Sequence, residues 1–402
     1  MKLGLIPKLL LGLVLGIVVG IYAPLWLTSI TETGRVFLGN LIKFFIPFII
    51  FSFIAASIAQ LKDSAGKLLS FTVSLSYVDT IIGCTMAAVT SYILIPGFVN
   101  GKSFSETTAA TIGEPIVEIA FPPLMDIMSA LVLAIVIGLA ASWGKSKLIA
   151  TAVEELKDII DIVIRKFMIP VIPIFIFCIF VGISAKGELS GAIVVFGKML
   201  LLIIIMQLIW LIIEYTVAGF ISKSNPFTAV KCMLPAYITA MGTMSSAATM
   251  PISLRQAKTI PVMDKKIADF VMPLCANIHS AGAALTLTIS AITVSVLTKG
   301  ELPPVSLIIV FIIVLGIVLT GAAGVPGGSV LATLGILQSI LGFDEVGLGL
   351  MLALFMVQDT FGTATNITGD GALALIVNRF FGKKVNNQEV LKGDLHVTGE
   401  NN

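Results

Sequence analysis

The chain has 402 residues, of which 57% are hydrophobic and 12% charged, with a mean hydropathy of +1.06 and a formal net charge of +2. A soluble domain carries about twice that share of charge, so this chain has too little polar surface to cover a water-facing globule. A soluble enzyme, a secreted disulfide scaffold and a nucleic-acid binder are excluded, and an all-α polytopic membrane protein is expected.

A hydrocarbon core needs about 20 apolar residues as helix. Six stretches before the midpoint meet this length: 8–30, 37–61, 68–96, 124–143, 155–184 and 191–221. Lys2 and Lys8 before the first run give it the look of a signal peptide. It lacks a small-residue cleavage site and is long enough to span, so it reads as a retained helix. Short polar links such as Lys62-Asp63-Ser64 and Gly144-Lys145-Ser146-Lys147 separate the runs, and the link at 97–123 is longer and acidic. With alternating spans, Lys2, Lys8, Lys62, Lys67, Lys145, Lys147, Lys223 and Lys231 fall on one side, against Arg35, Lys102 and Lys186 on the other. Positive charge marks the cytoplasmic side, which places the N-terminus inside. Cys84, Cys178, Cys232 and Cys275 are scattered singly, without metal-ligand spacing, and read as small buried residues.

After residue 224 the pattern changes. The stretch 225–255 is apolar but interrupted by Met244-Ser245-Ser246-Ala247-Ala248-Thr249-Met250-Pro251. A basic link follows, then a span at 268–297 broken at Cys275-Ala276-Asn277-Ile278-His279-Ser280-Ala281-Gly282. The stretch 304–342 carries Gly321 to Ser329 at its centre, and the last span, 346–381, holds Asp359 to Asp370. The second half thus reads as interrupted segment, broken span, interrupted segment, broken span, the mark of inverted repeats around a midplane site. If the interrupted segments are re-entrant hairpins, Arg255, Lys258, Lys265, Lys266, Lys383 and Lys384 all fall inside, in agreement with the charge rule. Residues 385–402 form a polar tail, expected to be disordered.

Backbone that leaves the helix inside lipid must be buried in protein or line a cavity, so the two small-residue tips point to a binding site. Tight helix packing by small residues is the plainer reading of one such tip; two, each followed by a polar-broken span, favour the site. Asp359 and Asp370, 11 residues apart, share a helix face with Asn366 and Thr363 between them. His279 is the one histidine of the hydrophobic region, and Asp79 is a third intramembrane acid. Intramembrane His and Asp suit a proton relay or a cation site, and a packed core histidine is the bland reading of the first.

These motifs resemble the dicarboxylate/amino acid:cation symporter family, the glutamate-transporter homologues. Ser245 to Pro251 is similar to the serine-rich tip of the first re-entrant hairpin, and Ala323-Gly324-Val325-Pro326-Gly327-Gly328 to the second tip. Asn366-Ile367-Thr368-Gly369-Asp370 matches the Asn-x-Thr-Gly-Asp signature of the last helix. The resemblance implies eight transmembrane helices plus two re-entrant hairpins in an elevator-type homotrimer. Residues 1–62 and 124–184 would form the scaffold. The transport domain would take helix 3 (67–96), helix 6 (191–221) and the core at 225–384, with the second hairpin as outer gate.

By the same resemblance, Asp359 matches the aspartate that binds a substrate ammonium, and Asn366 with the tip residues Ser245, Ser246, Gly324 and Val325 surrounds the substrate beside Thr363. Asp370 and Asn366 match sodium ligands, Thr320 and Ala322 lie at another sodium site, and Cys275, Asn277 and His279 fall in the cation-binding span. Two departures matter. The arginine that grips an acidic side chain falls at Gly362, and a first-tip arginine of some members falls at Met244. A second substrate carboxylate would then be buried unpaired, which is unfavourable by about 3–5 kcal/mol, so a neutral amino acid fits better. The family's Asn-Met-Asp-Gly-Thr motif reads His279-Ser280-Ala281-Gly282-Ala283 here, and Asp79 is placed to replace the lost charge. Coupling is expected to use fewer sodium ions, or a proton through His279, with no further cofactor.

The expected function is symport of a small neutral amino acid such as serine, threonine or alanine across the plasma membrane. An acidic amino acid or dicarboxylate carrier is the alternative within transport, and a ligand sensor or ion-conducting protein on the same fold is the alternative outside it. An enzyme is not expected: the only nucleophile beside a base is Ser280 next to His279, and adjacent helix residues do not face each other.

Overall fold

The computed structural model describes residues 5–59, 66–99, 112–144, 146–186, 189–322 and 324–382. Lys2, Lys62, Lys102, Lys145, Ala323, Lys383, Lys384 and the tail 385–402 lie outside the described residues. The described chain is helical, with no strand among the described residues.

The first helix, α1, covers Leu5–Tyr22 and stops short of the expected end at residue 30. Pro24 breaks the chain there, and its carbonyl accepts the first amides of the next helix, from Leu27 (2.9 Å) and Thr28 (3.1 Å). The second helix, α2 (Leu25–Ala59), therefore begins 12 residues before the expected start at 37. The polar run between the two expected spans is helical, with the Thr28, Thr31 and Thr33 hydroxyls satisfied by carbonyls of the preceding turn. Helix α1 packs along the later helix at Ile169–Ala185. Gly12, Gly16 and Gly20 allow this contact: a Cβ at each would stand 2.5–2.6 Å from the carbonyl oxygens of Pro173, Phe177 and Val181.

The third and fourth helices are α3 (Gly66–Val99) and α4 (Ile127–Trp143), the latter capped by the Asp126 carboxylate on the Met128 amide. The next span departs from 155–184. It starts at Lys147 as α5 (Lys147–Val163), passes through a π-helical stretch at Ile164–Met168 and continues as α6 (Ile169–Ala185). The expected span reaches α5 only from residue 155; the helix begins eight residues earlier, where Ser146 caps it by accepting the Ile149 amide and Lys147 reads as part of a polar link. Helix α7 (Leu189–Ser222) lies where the apolar run placed it.

The second half gives α8 (Pro226–Thr243), α9 (Ser246–Ala257), α10 (Lys265–Ile278), α11 (Ala281–Lys299), α12 (Val305–Thr320), α13 (Gly328–Ser339) and α14 (Glu345–Phe381). Helices α8 and α9, joined by Met244 and Ser245 alone, pack on each other, as do α12 and α13. The span at 265–299 is broken at His279–Ser280 as expected. The last span is not: α14 runs unbroken for 37 residues and is buried along most of its length. Its polar stretch contains no proline, and Asp359, Asn366 and Asp370 bond to the Gly327 amide, the Gly282 and Ala283 amides and His279.

Among the described residues six helical stretches are long and apolar enough to cross a membrane: 25–59, 67–99, 147–185, 194–222, 265–299 and 345–381. Shorter apolar helices include 7–22, 127–143, 305–320 and 328–339.

One ion-pair group ties α2 to the start of α14. Glu345 accepts from Arg35 Nη1 and from Lys43 Nζ, each at 3.0 Å, and Arg35 also pairs with Glu32. All four side chains are less than a quarter exposed. Glu345→Gln leaves Lys43 facing a neutral amide and Arg35 paired with Glu32 alone. It is expected to lower the thermal midpoint, at a cost of about 1–2 kcal/mol, between the values for exposed and buried pairs.

Candidate functional site

Helix α14 presents Asp359, Thr363 and Asn366 on one face, as spacings of four and three residues dictate. Three chain breaks converge on that face. Between α8 and α9 the backbone turns through Met244, in the left-handed region at φ 52°, and Ser245 then caps α9 by accepting the Ala248 amide at 3.2 Å. Between α12 and α13 lies the Gly/Ala/Val/Pro tip. The α10–α11 break adds Asn277 and Ser280.

The two tips are fastened together and to α14. Ser245 donates its hydroxyl to the Gly324 carbonyl at 2.7 Å. The Gly327 amide donates to Asp359 Oδ2 at 2.7 Å, and Thr363 donates to Asp359 Oδ1 at 3.3 Å. Asn366 Oδ1 accepts the Gly282 and Ala283 amides at 2.8 and 3.2 Å, satisfying the first turn of α11. The enclosed chamber has a free volume of about 20 Å³, room for about one water molecule. The 321–327 tip is held by two hydrogen bonds, to Ser245 and to Asp359.

Of the expected site residues, Ser246, Ala322, Gly324, Val325, Asp359, Thr363, Asn366 and Asn277 line the chamber, with Ser245 at its edge. Gly362 does not. A Cβ there would meet Ala283 and the Gln207 side chain at 3.6–3.7 Å, on the side toward α11 and α7. Thr320 lies apart as well, its hydroxyl returned to the Ile317 carbonyl of its own helix at 2.7 Å. Ser329, at the start of α13, joins the lining without having been singled out from the sequence.

A second cluster lies behind the chamber. His279, with its side chain fully buried, places Nδ1 2.9 Å from Asp370 Oδ1 and Nε2 2.9 Å from Asp79 Oδ2. Asp79 is thus within reach of the altered motif. Cys275 meets the Ser76 hydroxyl at 3.8 Å beside this group. Glu214 on α7 stands 3.8 Å from the same Nε2 and was not anticipated. Its signal was in the sequence, a lone acid in Trp210-Leu211-Ile212-Ile213-Glu214-Tyr215, where a charge at bilayer depth calls for a reason. Gln207, two α7 turns further back, donates to the Gly282 carbonyl (3.1 Å) and the Thr286 hydroxyl (2.9 Å), holding the other side of the α10–α11 break. Asn366 joins the two sites: it lies one turn before Asp370 and grips the amides just after His279.

Two small-residue tips facing an aspartate, backed by a buried His–carboxylate group, form a constellation that comparison with known proteins places. The profile of the sodium:dicarboxylate symporter family matches residues 5–380. The chain belongs to this family. Relatives include the serine/threonine transporter SstT of Enterococcus faecalis, 28% identical over 389 residues that cover 92% of this chain and 90% of that one. The serine/threonine transporter SstT of Streptococcus agalactiae is 27% identical over 410 residues, covering 95% of this chain and 98% of its own. Family and relatives are transporters, not enzymes, so this symporter-family chain is read as a multi-pass membrane transporter.

Proposed function

We propose that this protein is a secondary active symporter of a small neutral amino acid, serine, threonine or alanine, driven by sodium, protons or both. The observation that carries this reading is the chamber itself. Among the described residues it holds one carboxylate, Asp359, to pair with an ammonium, and no lysine or arginine lines it. The substrate α-carboxylate is assigned to the N-terminus of α9 at Ser245 and Ser246 and to Asn366, where helix-end amides favour an anion. The names of the serine/threonine-transporting relatives support the same substrate class.

In this reading α8–α9 and α12–α13 are re-entrant hairpins, and α1 and α4 cross the membrane with the six longer stretches. At 18 and 17 residues they reach about 25–27 Å, close to a hydrocarbon core of about 30 Å. Residues 1–62 and 124–184 act as the scaffold of a homotrimer in lipid, and α3, α7 and the core at 225–384 move as an elevator. The second tip gates entry, and both termini are cytoplasmic. The coupling cation, sodium or a proton, belongs to the cluster of Asp79, His279 and Asp370.

A thermal-shift screen of amino acids with and without sodium tests the substrate, because a ligand of the folded state stabilises it. Serine, threonine or alanine is expected to raise the midpoint; a shift seen only with aspartate, glutamate or a dicarboxylate overturns the neutral-substrate reading. Uptake into proteoliposomes under separate sodium and pH gradients tests the coupling. Binding without accumulation against a gradient identifies a sensor or channel instead.

A further inference from the structure

Glu214 is a buried charge that neither the chamber nor the His279 hydrogen bonds account for. Its side chain is 1% exposed, and neither carboxylate oxygen has a hydrogen-bond partner. The fold makes room for it. A Cβ on Gly369 would come within 2.6 Å of Glu214 Oε2 and 3.0 Å of His279 Cε1, so bare α14 backbone is what Glu214 rests on. The second oxygen of Asp370 is also buried without a partner.

The charges do not balance. A neutral imidazole has one donor nitrogen, yet carboxylate oxygens stand 2.9 Å from both nitrogens of His279. The line Asp79–His279–Asp370 therefore holds one proton beyond a neutral histidine and two carboxylates, whether on the ring or on an acid. That positive equivalent is used within the line, and Glu214 is left over. The ion pairs of Asp79, Glu214 and Asp370 among the described residues are with His279 alone. Tyr215, the next residue on α7, spends its hydroxyl on the Thr368 carbonyl at 2.7 Å, and Cys275 is engaged with Ser76. A carboxylate left uncompensated at this depth is strongly unfavourable, so Glu214 takes up either a proton or a metal cation, and a sodium titration tells the two apart.

We propose that Glu214 and Asp79 together hold a metal cation, sodium for a chain of this family, and that Glu214 is the residue that makes the site. One oxygen of Asp79 and one of Glu214 lie within 4.8 Å of each other, beside His279. Atoms bound to one ion lie no further apart than twice the bond length, and 4.8 Å corresponds to the roughly 2.4 Å bonds of a hard cation with oxygen ligands. His279 is held in place by Asp370 and presents its other nitrogen to Asp79, so the carboxylates remain the donors. This rests on the symporter reading and deepens it. The four residues come from α3, α7, the α10–α11 break and α14, so an ion between them draws these elements together. Asn366 carries the effect to the chamber, since it holds the break beside His279 and lines the substrate space.

The test is a sodium titration of the full-length protein by thermal shift, with choline chloride keeping ionic strength constant, in wild type and Glu214→Gln. Sodium is expected to raise the wild-type midpoint, and Glu214→Gln to raise the half-maximal sodium concentration at least tenfold. The amino-acid shift is then recovered only at the higher sodium. Gly369→Ala, which displaces the carboxylate without removing it, is expected to move the titration the same way, and it decides the matter should Glu214→Gln fail to fold. An unchanged sodium titration in both variants overturns the proposal, as does a wild-type midpoint indifferent to sodium while amino acids still shift it. That last result leaves the symporter reading standing, whereas a wild type that ignores amino acids at every sodium concentration refutes the symporter reading instead.

Discussion

Asp359→Asn is expected to abolish the thermal shift produced by serine, threonine or alanine and to reduce uptake by at least tenfold. The substitution conserves shape, and the amide oxygen still accepts the Gly327 amide that Asp359 accepts at 2.7 Å, so the closed tip survives. What is lost is the charge. A hydrogen bond to a charged group contributes about 1.5–3 kcal/mol, and each 1.4 kcal/mol is tenfold in affinity. Among the described residues the chamber offers no second acid to a substrate ammonium, since Asp370 is turned toward His279. Retention of the full shift in Asp359→Asn, measured at saturating sodium, removes this residue from the site.

Much of the site was legible because it depends on chain breaks. A glycine- or serine-rich interruption inside an apolar run is visible from composition, and the structure puts breaks at 244–245, 279–280 and 321–327. The stripe of Asp359, Thr363, Asn366 and Asp370 follows from helical spacing alone, and it is found on one continuous helix. Other features depend on what packs where. Pro24 ends α1 although the apolar run continues to Ile30, and α2 is helical through the polar run between the two expected spans, its threonine hydroxyls satisfied by the preceding turn. Only the first two turns of α5, 147–154, fall outside the expected span, because they follow directly on a polar link. Gly362 sits three residues from Asp359, an offset of about 60° around the helix, and that turn is enough to aim it at Ala283 and Gln207. The loss of an arginine there thus bears on charge more than on chamber space. Glu214 escaped because one acid scarcely lowers the hydropathy of a 34-residue apolar helix.

His279→Ala is expected to destabilise the folded protein strongly. It removes the partner of two carboxylates at once, the fully buried Asp370 and the largely buried Asp79, each 2.9 Å from the ring. Breaking one buried pair by removing a partner costs about 3–5 kcal/mol, so the thermal midpoint should fall steeply and transport should cease. A cavity of imidazole size contributes as well, and the double variant separates the two causes. His279→Ala with Asp79→Asn carries the same cavity but one buried charge fewer. If electrostatics dominates, the double variant is more stable than His279→Ala alone, with a coupling at the upper end of the roughly 0.5–3 kcal/mol seen for residues in one network. If the cavity dominates, adding Asp79→Asn leaves the midpoint where His279→Ala put it or lowers it further. Under that result His279 is a packed core residue, and coupling must be sought elsewhere.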